Sequence, residues 1–335
     1  MTFKVGVTRD LMTKDGVPCF REGAFEELAR NSDITWEWLP ENVDVLTPEH
    51  FAAFDALHIN LPRVTADSAG DAPRVKIVAR NGVGFDTVDL DAMTAAGIVV
   101  TNTPIAVRRP VAVATLSLVF ALAGKLFQKD RMVRAGRWND RVDYMGLGLT
   151  ERTLGLIGAG SIGQEIAKLA APFFGRVIAN DPYVDDETLK DVGAEKRAFD
   201  ELLAEADFVV ACCLLTDETR HLVGADAFKR MQPEAYFVNV GRGPIHDEGA
   251  LIAALQSGEI AGAGLDVTEV EPIPGDSPLL TMDNTIITAH ALCWTDECFE
   301  DIARTALRSI VDVSLGVRPV HVVNAEAAAG LKPRD

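Results

Sequence analysis

Three side chains far apart in the chain, Arg242, Glu271 and His290, are of the types needed to hold an anion, polarise a carbonyl and move a proton. Arg242 follows the apolar run 236–240 and stands between Gly241 and Gly243, which leave room for a ligand. Its planar guanidinium matches a carboxylate with two parallel hydrogen bonds, although an arginine there would also serve as a domain-bridging salt link. His290 follows the run 285–288, at the carboxyl end of a strand, where open α/β sheets place their ligands. It is well placed to donate a proton; taken alone, a histidine there is more often a hydrogen-bonded structural one. Glu271 lies between the two in sequence, before Pro272. A carboxylate beside an imidazole fixes its tautomer and stabilises its cation. By itself Glu271 reads as a solvated loop acid, and Glu269 is a rival for the role.

A second constellation concerns phosphates. The apolar run 153–157 leads directly into Gly158-Ala159-Gly160-Ser161-Ile162-Gly163 and then into helix-compatible residues 164–171. In that order the first glycine permits a tight turn, the second lets a pyrophosphate approach the backbone, and the third lets the helix pack on the strand. The helix N-terminus then faces the diphosphate. The next strand-like run, 176–180, ends at Asp181, close to the roughly twenty-residue step expected after such a loop. Its carboxylate suits two ribose hydroxyls and repels a 2′-phosphate, which favours NAD over NADP. Pro172 should end the helix early.

Elements of alternating type must position these groups. Apolar runs at 3–8, 34–39, 56–60, 75–79 and 98–101 alternate with helical patterns at 24–30 and 90–96. A second series, 153–157, 176–180, 208–211, 236–240, 262–266 and 285–288, does the same. The expectation is an α/β protein with two doubly wound parallel sheets, joined by a connector helix over about 109–127. An amphipathic tail at 295–315 is expected to return to the first domain.

Composition narrows the function classes. The 335 residues suit about two domains. Hydrophobic residues make up 48% and charged ones 24%, which excludes a disordered or collagen-like chain. The net charge of −18 repels phosphate backbones and anionic membranes, so neither nucleic acid nor a membrane is an expected partner. Apolar runs such as 111–123 fall short of the roughly 18 residues of a membrane span. The opening residues lack the order of a secretory signal, so a cytoplasmic location is expected, with the five cysteines as thiols and no metal-ligand spacing.

Five motifs in order carry a resemblance. Asn81-Gly82-Val83-Gly84-Phe85-Asp86-Thr87-Val88-Asp89, the glycine loop, Val238-Asn239-Val240-Gly241-Arg242-Gly243, Gly262-Ala263-Gly264-Leu265-Asp266-Val267 with Glu271-Pro272, and Thr288-Ala289-His290 together resemble the D-isomer-specific 2-hydroxyacid dehydrogenases. The match covers almost the whole chain. It implies a flavodoxin-like substrate domain made of both chain ends (1–104 and 295–335), a Rossmann domain inserted between them (105–294), and an active site in the cleft. It also implies a homodimer paired through the nucleotide domain, acting on small 2-oxo and D-2-hydroxy acids. Arg242 becomes the substrate clamp, His290 the acid/base and Glu271 its partner. The backbone of Val83 and Gly84 holds the substrate carboxylate. Gly158, Gly160, Ser161, Ile162, Gly163, Asp181, Val240 and Asp266 surround NAD, Asp266 on the nicotinamide side. The segment Met145-Gly146-Leu147-Gly148-Leu149-Thr150 is similar to that of glyoxylate and hydroxypyruvate reductases.

Some positions depart from the family pattern. Ala289 and Leu214 stand where prolines are usual, and Val113 where a glutamate is. Asn60, in place of an arginine, argues against a phosphorylated substrate, whereas Arg108 and Arg109 argue the other way. Trp294 would wall the pocket or fill the core, and Tyr144 and Met145 would reach a neighbouring subunit. Two other readings share the fold: an NAD(H)-sensing, corepressor-like binding protein, and a formate dehydrogenase-like enzyme, against which the carboxylate of Glu271 weighs.

Overall fold

The computed structural model describes residues 2–334, and the chain divides into two compact units, one up to Val107 plus the residues from Trp294 onward, the other Arg108–Cys293. In the first unit the elements are β1 (Phe3–Val7), α1 (Glu26–Ala29), β2 (Ile34–Trp38), α2 (Pro48–Ala53), β3 (Ala56–Ile59), β4 (Ile77–Arg80), α3 (Leu90–Ala95) and β5 (Val99–Thr101). Its five-stranded sheet is parallel in the order β2-β1-β3-β4-β5, the flavodoxin-like arrangement. The strands alternate faces as a pleat requires. Ala56, Ile77 and Val99 face one core with Val5 and Val7, while Leu57, Val78 and Val100 face another.

The helix Asp296–Ser314 covers the first of those cores with Phe299, Ala303, Ala306, Leu307, Ile310 and Val313. The hydroxyl of Thr295 caps it by accepting the Cys298 N–H at 3.2 Å, and Asp296 and Glu297 in the first turn suit the positive end of the helix. It stops at Leu315, where Gly316 takes φ 72°. Fully burying one such leucine contributes about 2 kcal/mol. Trp294, just before this helix, is 44% exposed and packs edge-on against Phe299, so it is not a core residue.

The helix α4 (Pro104–Ala123) begins in the first unit and continues into the second, where it is followed by α5 (Leu126–Arg134), β6 (Thr153–Ile157), α6 (Ser161–Ala170), β7 (Arg176–Asn180), α7 (Asp186–Asp191), β8 (Glu195–Lys196), α8 (Phe199–Glu205), β9 (Phe208–Ala211), α9 (Ala225–Arg230), β10 (Tyr236–Asn239), α10 (Glu248–Ser257), β11 (Gly262–Leu265) and β12 (Thr285–Ile287). The seven-stranded parallel sheet runs β12-β11-β10-β9-β6-β7-β8, with the order reversing between β6 and β9, where doubly wound sheets bind ligands. Two cores cover its faces, one holding Leu154, Phe208 and Val238, the other Val209, Phe237 and Leu265.

The connector differs from expectation. It begins at Pro104, not near 109, because proline is favoured in the first helical turn, and it tolerates Pro110 inside. It ends at Ala123, not 127, since Gly124 and Lys125 follow and Lys125 takes the left-handed φ 49°. The resulting helix, at 20 residues, is long and apolar enough by length and composition to cross a membrane, contrary to the expectation drawn from shorter apolar runs. Over half of its apolar window is buried, with Leu116, Val119 and Leu122 in the core of the second unit. The segment 24–30 is likewise not one helix but a 3-10 turn followed by the four-residue α1. Both α2 and the two-residue β8 escaped the reading of periodicity because each is too short to show one.

Candidate active site

The glycine loop has the form its residues require. Gly158 takes φ 98°, and a Cβ there would meet the Cys213 backbone at 2.7 Å. A Cβ on Gly163 would strike the Gly158 carbonyl, so only glycine lets α6 approach the strand. At Gly160, the residue before α6, the space around a Cβ is open. Ser161 is exposed and Ile162 half-buried at the start of the helix. Asp181 joins this loop: one carboxylate oxygen accepts the Ala159 N–H at 2.7 Å and the other the Tyr183 N–H at 2.9 Å. The loop, the helix start and the acid therefore fit a dinucleotide diphosphate and its ribose. The helix α6 ends at Ala170, two residues before Pro172.

Arg242, Glu271 and His290 all belong to the second unit, on turns after β10, β11 and β12. His290 Nδ1 lies 2.9 Å from Glu271 Oε2, and both side chains are about half exposed, at 45% and 40%. The Thr268 N–H donates to the other carboxylate oxygen at 3.2 Å. Burial pushes the Glu271 carboxyl up. The hydrogen bond and charge of His290, the Thr268 N–H and the charge of Arg242 outweigh it and hold the group below its ordinary range. Glu271 is thus an anion at neutral pH. Glu269, the rival, points elsewhere, to His221 Nε2 at 2.8 Å.

His290 takes φ 53°, a left-handed conformation uncommon outside glycine. Its turn is held by Asp266. One oxygen of that carboxylate accepts from Thr288 Oγ1 at 2.5 Å and from the N–H groups of Ala291 and Leu292 at 3.1 Å each, while the His290 N–H donates to the Asp266 carbonyl at 2.8 Å. Asp266 therefore orients the histidine turn through one oxygen.

The buried Asn239 does the same for Arg242. Its amide nitrogen donates to the Arg242 carbonyl at 2.9 Å, and its amide oxygen accepts the Gly241 N–H at 3.0 Å. Sequence reasoning assigned no role to Asn239; a buried amide between Val238 and Gly241 was the available signal. Val240 is half-buried, its N–H bonded to the Ala211 carbonyl at 3.1 Å. Val83 and Gly84 lie in the first unit, half-buried after β4. Their turn is fixed by Asn102, whose amide donates to the Val83 carbonyl at 2.8 Å, and by the Thr103 hydroxyl, which accepts the Gly82 N–H at 2.9 Å. Arg108 and Arg109 sit inside α4 and pair with Glu165 of α6, Arg109 at 2.7 Å and Arg108 at 4.0 Å.

A dinucleotide loop at the switch point of one sheet, with an arginine, a carboxylate and a histidine along the same carboxyl edge, defines a nicotinamide-dependent dehydrogenase of hydroxy acids. The family model of the D-isomer specific 2-hydroxyacid dehydrogenase NAD binding domain matches residues 116–291, and the chain belongs to that family. It is 37% identical to a glyoxylate reductase of Aeropyrum pernix over 92% of this chain and 95% of the relative. It is also 37% identical to a glyoxylate/hydroxypyruvate reductase B of Shigella boydii, covering 83% of this chain and 87% of that one. Among solved structures, D-lactate dehydrogenase from Aquifex aeolicus, complexed with NAD and lactic acid, superposes with a TM-score of 0.81 at 25% identity, covering 98% of each chain. The chain is an oxidoreductase that moves a hydride between NAD(H) and 2-oxo or 2-hydroxy acids.

Proposed function

We propose that the chain reduces a small 2-oxo acid of the glyoxylate or hydroxypyruvate kind to the D-2-hydroxy acid, with NADH in preference to NADPH. The observation that carries this reading is the 2.9 Å contact of His290 Nδ1 with Glu271 Oε2, next to Arg242, which leaves His290 Nε2 to face substrate. Bound at Gly158, Gly160, Ser161, Ile162, Gly163 and Asp181, NADH supplies the hydride. Arg242 grips the substrate carboxylate and polarises the 2-oxo oxygen. As charge develops on that oxygen His290 delivers a proton from Nε2, and Glu271 stabilises the imidazolium beforehand and holds its tautomer. In the oxidative direction the neutral ring takes the proton back. Val240 and Asp266 would line the nicotinamide side of the cofactor, and the turn of Val83 and Gly84 keeps the carboxylate-binding role that the family resemblance implies for it.

The preference for NADH rests on charge. Asp181 lines an open cavity with Asp186, Glu201 and Glu205. The two cations there are already engaged, Lys196 with the Val184 carbonyl at 2.6 Å and Arg197 with Glu195 at 2.7 Å. A 2′-phosphate entering it meets a net negative rim. The same reading makes the protein a cytoplasmic homodimer. Val113, Phe120, Leu126, Phe127, Trp138 and Met145, along α4, α5 and the turn beyond, are exposed apolar residues of the kind an interface covers. A panel of glyoxylate, hydroxypyruvate, pyruvate and bulkier 2-oxo acids, each with NADH and NADPH, tests the proposal. Turnover is expected on the small acids with NADH; no turnover on any, together with NADH-dependent capture of a partner, would favour the sensor reading.

A further inference from the structure

Two histidines and two carboxylates in the second unit take no part in the chemistry above, yet they adjoin it. Turns leave the carboxyl ends of the neighbouring strands β9, β10 and β11, carrying respectively His221, Arg242 and Glu271. The first turn is bonded to the second: the His221 N–H donates to the Pro244 carbonyl at 2.8 Å and the Val223 N–H to the Ile245 carbonyl at 3.1 Å. The second lies directly on the third, since a Cβ on Gly243 would strike the Thr268 carbonyl. The third is anchored by Glu269. Its Oε1 meets His221 Nε2 at 2.8 Å and its Oε2 accepts the Glu248 N–H at 3.1 Å, while its own N–H donates to Glu248 Oε2 at 3.0 Å. Beneath them the buried His246 places Nδ1 2.9 Å from the Asn239 amide that also holds Arg242.

We infer that His221, Glu269 and Glu248 are positioning residues for hydride transfer, locking the turns of Arg242 and Glu271 into one rigid piece. The inference rests on the reading that Glu271 serves His290. Each of the two glutamates accepts the other's backbone N–H, so two carboxylates sit together, and His221 Nε2 is the side-chain partner of one of them at 2.8 Å. Its left-handed φ of 54° is the backbone strain that brings the ring to Glu269. Glu271 follows Glu269 by only two residues, so slack at the anchor becomes slack in the carboxylate that orients His290. The groups facing Glu269 are His221, Glu248 and His246, with Asp247 facing His246; those facing Glu271 are His290 and Arg242.

The test compares His221→Ala and His221→Gln with His290→Ala in the full chain, using glyoxylate or the best acid of the panel. Misplacement of a reacting group by about 1 Å costs on the order of a hundred-fold. His221→Ala is therefore expected to lower kcat about ten- to a hundred-fold, with the NADH Kd within about two-fold of wild type. His221→Gln, which keeps a donor, is expected to recover most of that loss. An inert His290→Ala beside a His221→Ala of normal kcat overturns the clamp and leaves the chemistry standing. A His290→Ala of normal turnover overturns both. Equal loss in His221→Ala and His221→Gln, with NADH affinity and Tm falling together, shows a local fold defect and also overturns the clamp.

Discussion

The carboxyl edges of the two sheets are built alike and furnished differently. In the first unit several polar side chains at that edge are sealed, Thr8, His58, Asn60, Asn81 and Thr101 being buried, while Arg80 and Asn102 are half-buried. Neither ring nitrogen of His58 reaches a partner at hydrogen-bonding geometry. Burial pushes its pKa down to about 4, against the weaker opposing influence of Asn81. What this edge presents is backbone, the Val83-Gly84 turn held by Asn102 and Thr103. In the second unit the same edge presents side chains. His221 and His290 stay half open to solvent, each matched with a carboxylate, and the sealed His246 lies behind them. One sheet edge carries a backbone turn pinned by side chains; the other carries ionisable groups in hydrogen-bonded pairs.

If that contrast is right, His290→Ala should show the largest effect, a loss in turnover of about two to four orders of magnitude with NADH binding retained, measured by steady-state kinetics and fluorescence titration. Acid should act on the sealed histidines next. His58 and His246 both have folded pKa values near 4, against 6.5 when unfolded, so the unfolded state binds more protons between those values. Their contribution to stability is complete above pH 6.5 and disappears as the pH falls toward 4, by about 3 kcal/mol for each histidine. Urea unfolding at pH 7 and pH 4.5 reads this, and His58→Leu should flatten the dependence; an unchanged slope would mean that His58 is not sealed. Arg242→Lys keeps the charge but loses the planar fork, and should raise the KM for the 2-oxo acid by about ten- to a hundred-fold. Thr103→Val removes only the acceptor for the Gly82 N–H, so the expected change is a few-fold rise in KM with kcat intact. A Thr103→Val variant that lost kcat instead would place chemistry on the edge of the first sheet.

Where a short motif fixes the local backbone, the sequence is readable. The glycine loop falls in that class, and the strands Thr153–Ile157, Arg176–Asn180 and Phe208–Ala211 match the expected bounds because apolar runs buried on both faces are abrupt. What stayed hidden was contact between distant segments. No spacing rule joins His221 to Glu269, nor gives the Asp266 carboxylate to the turn of His290, because both pairings depend on which strands become neighbours. The start of α4 lies earlier than 109 for a local reason: Pro104 already opens the first turn, and Arg108 and Arg109, inside the helix, pair with Glu165.

The left-handed backbone at His290 carries a cost of its own. A residue with a Cβ gives up about 1 kcal/mol or more in that region, and asparagine and glycine give up less. Replacing His290 with asparagine should therefore relieve part of that cost and give a protein that melts at a higher temperature than His290→Ala, which loses the same contact with Glu271.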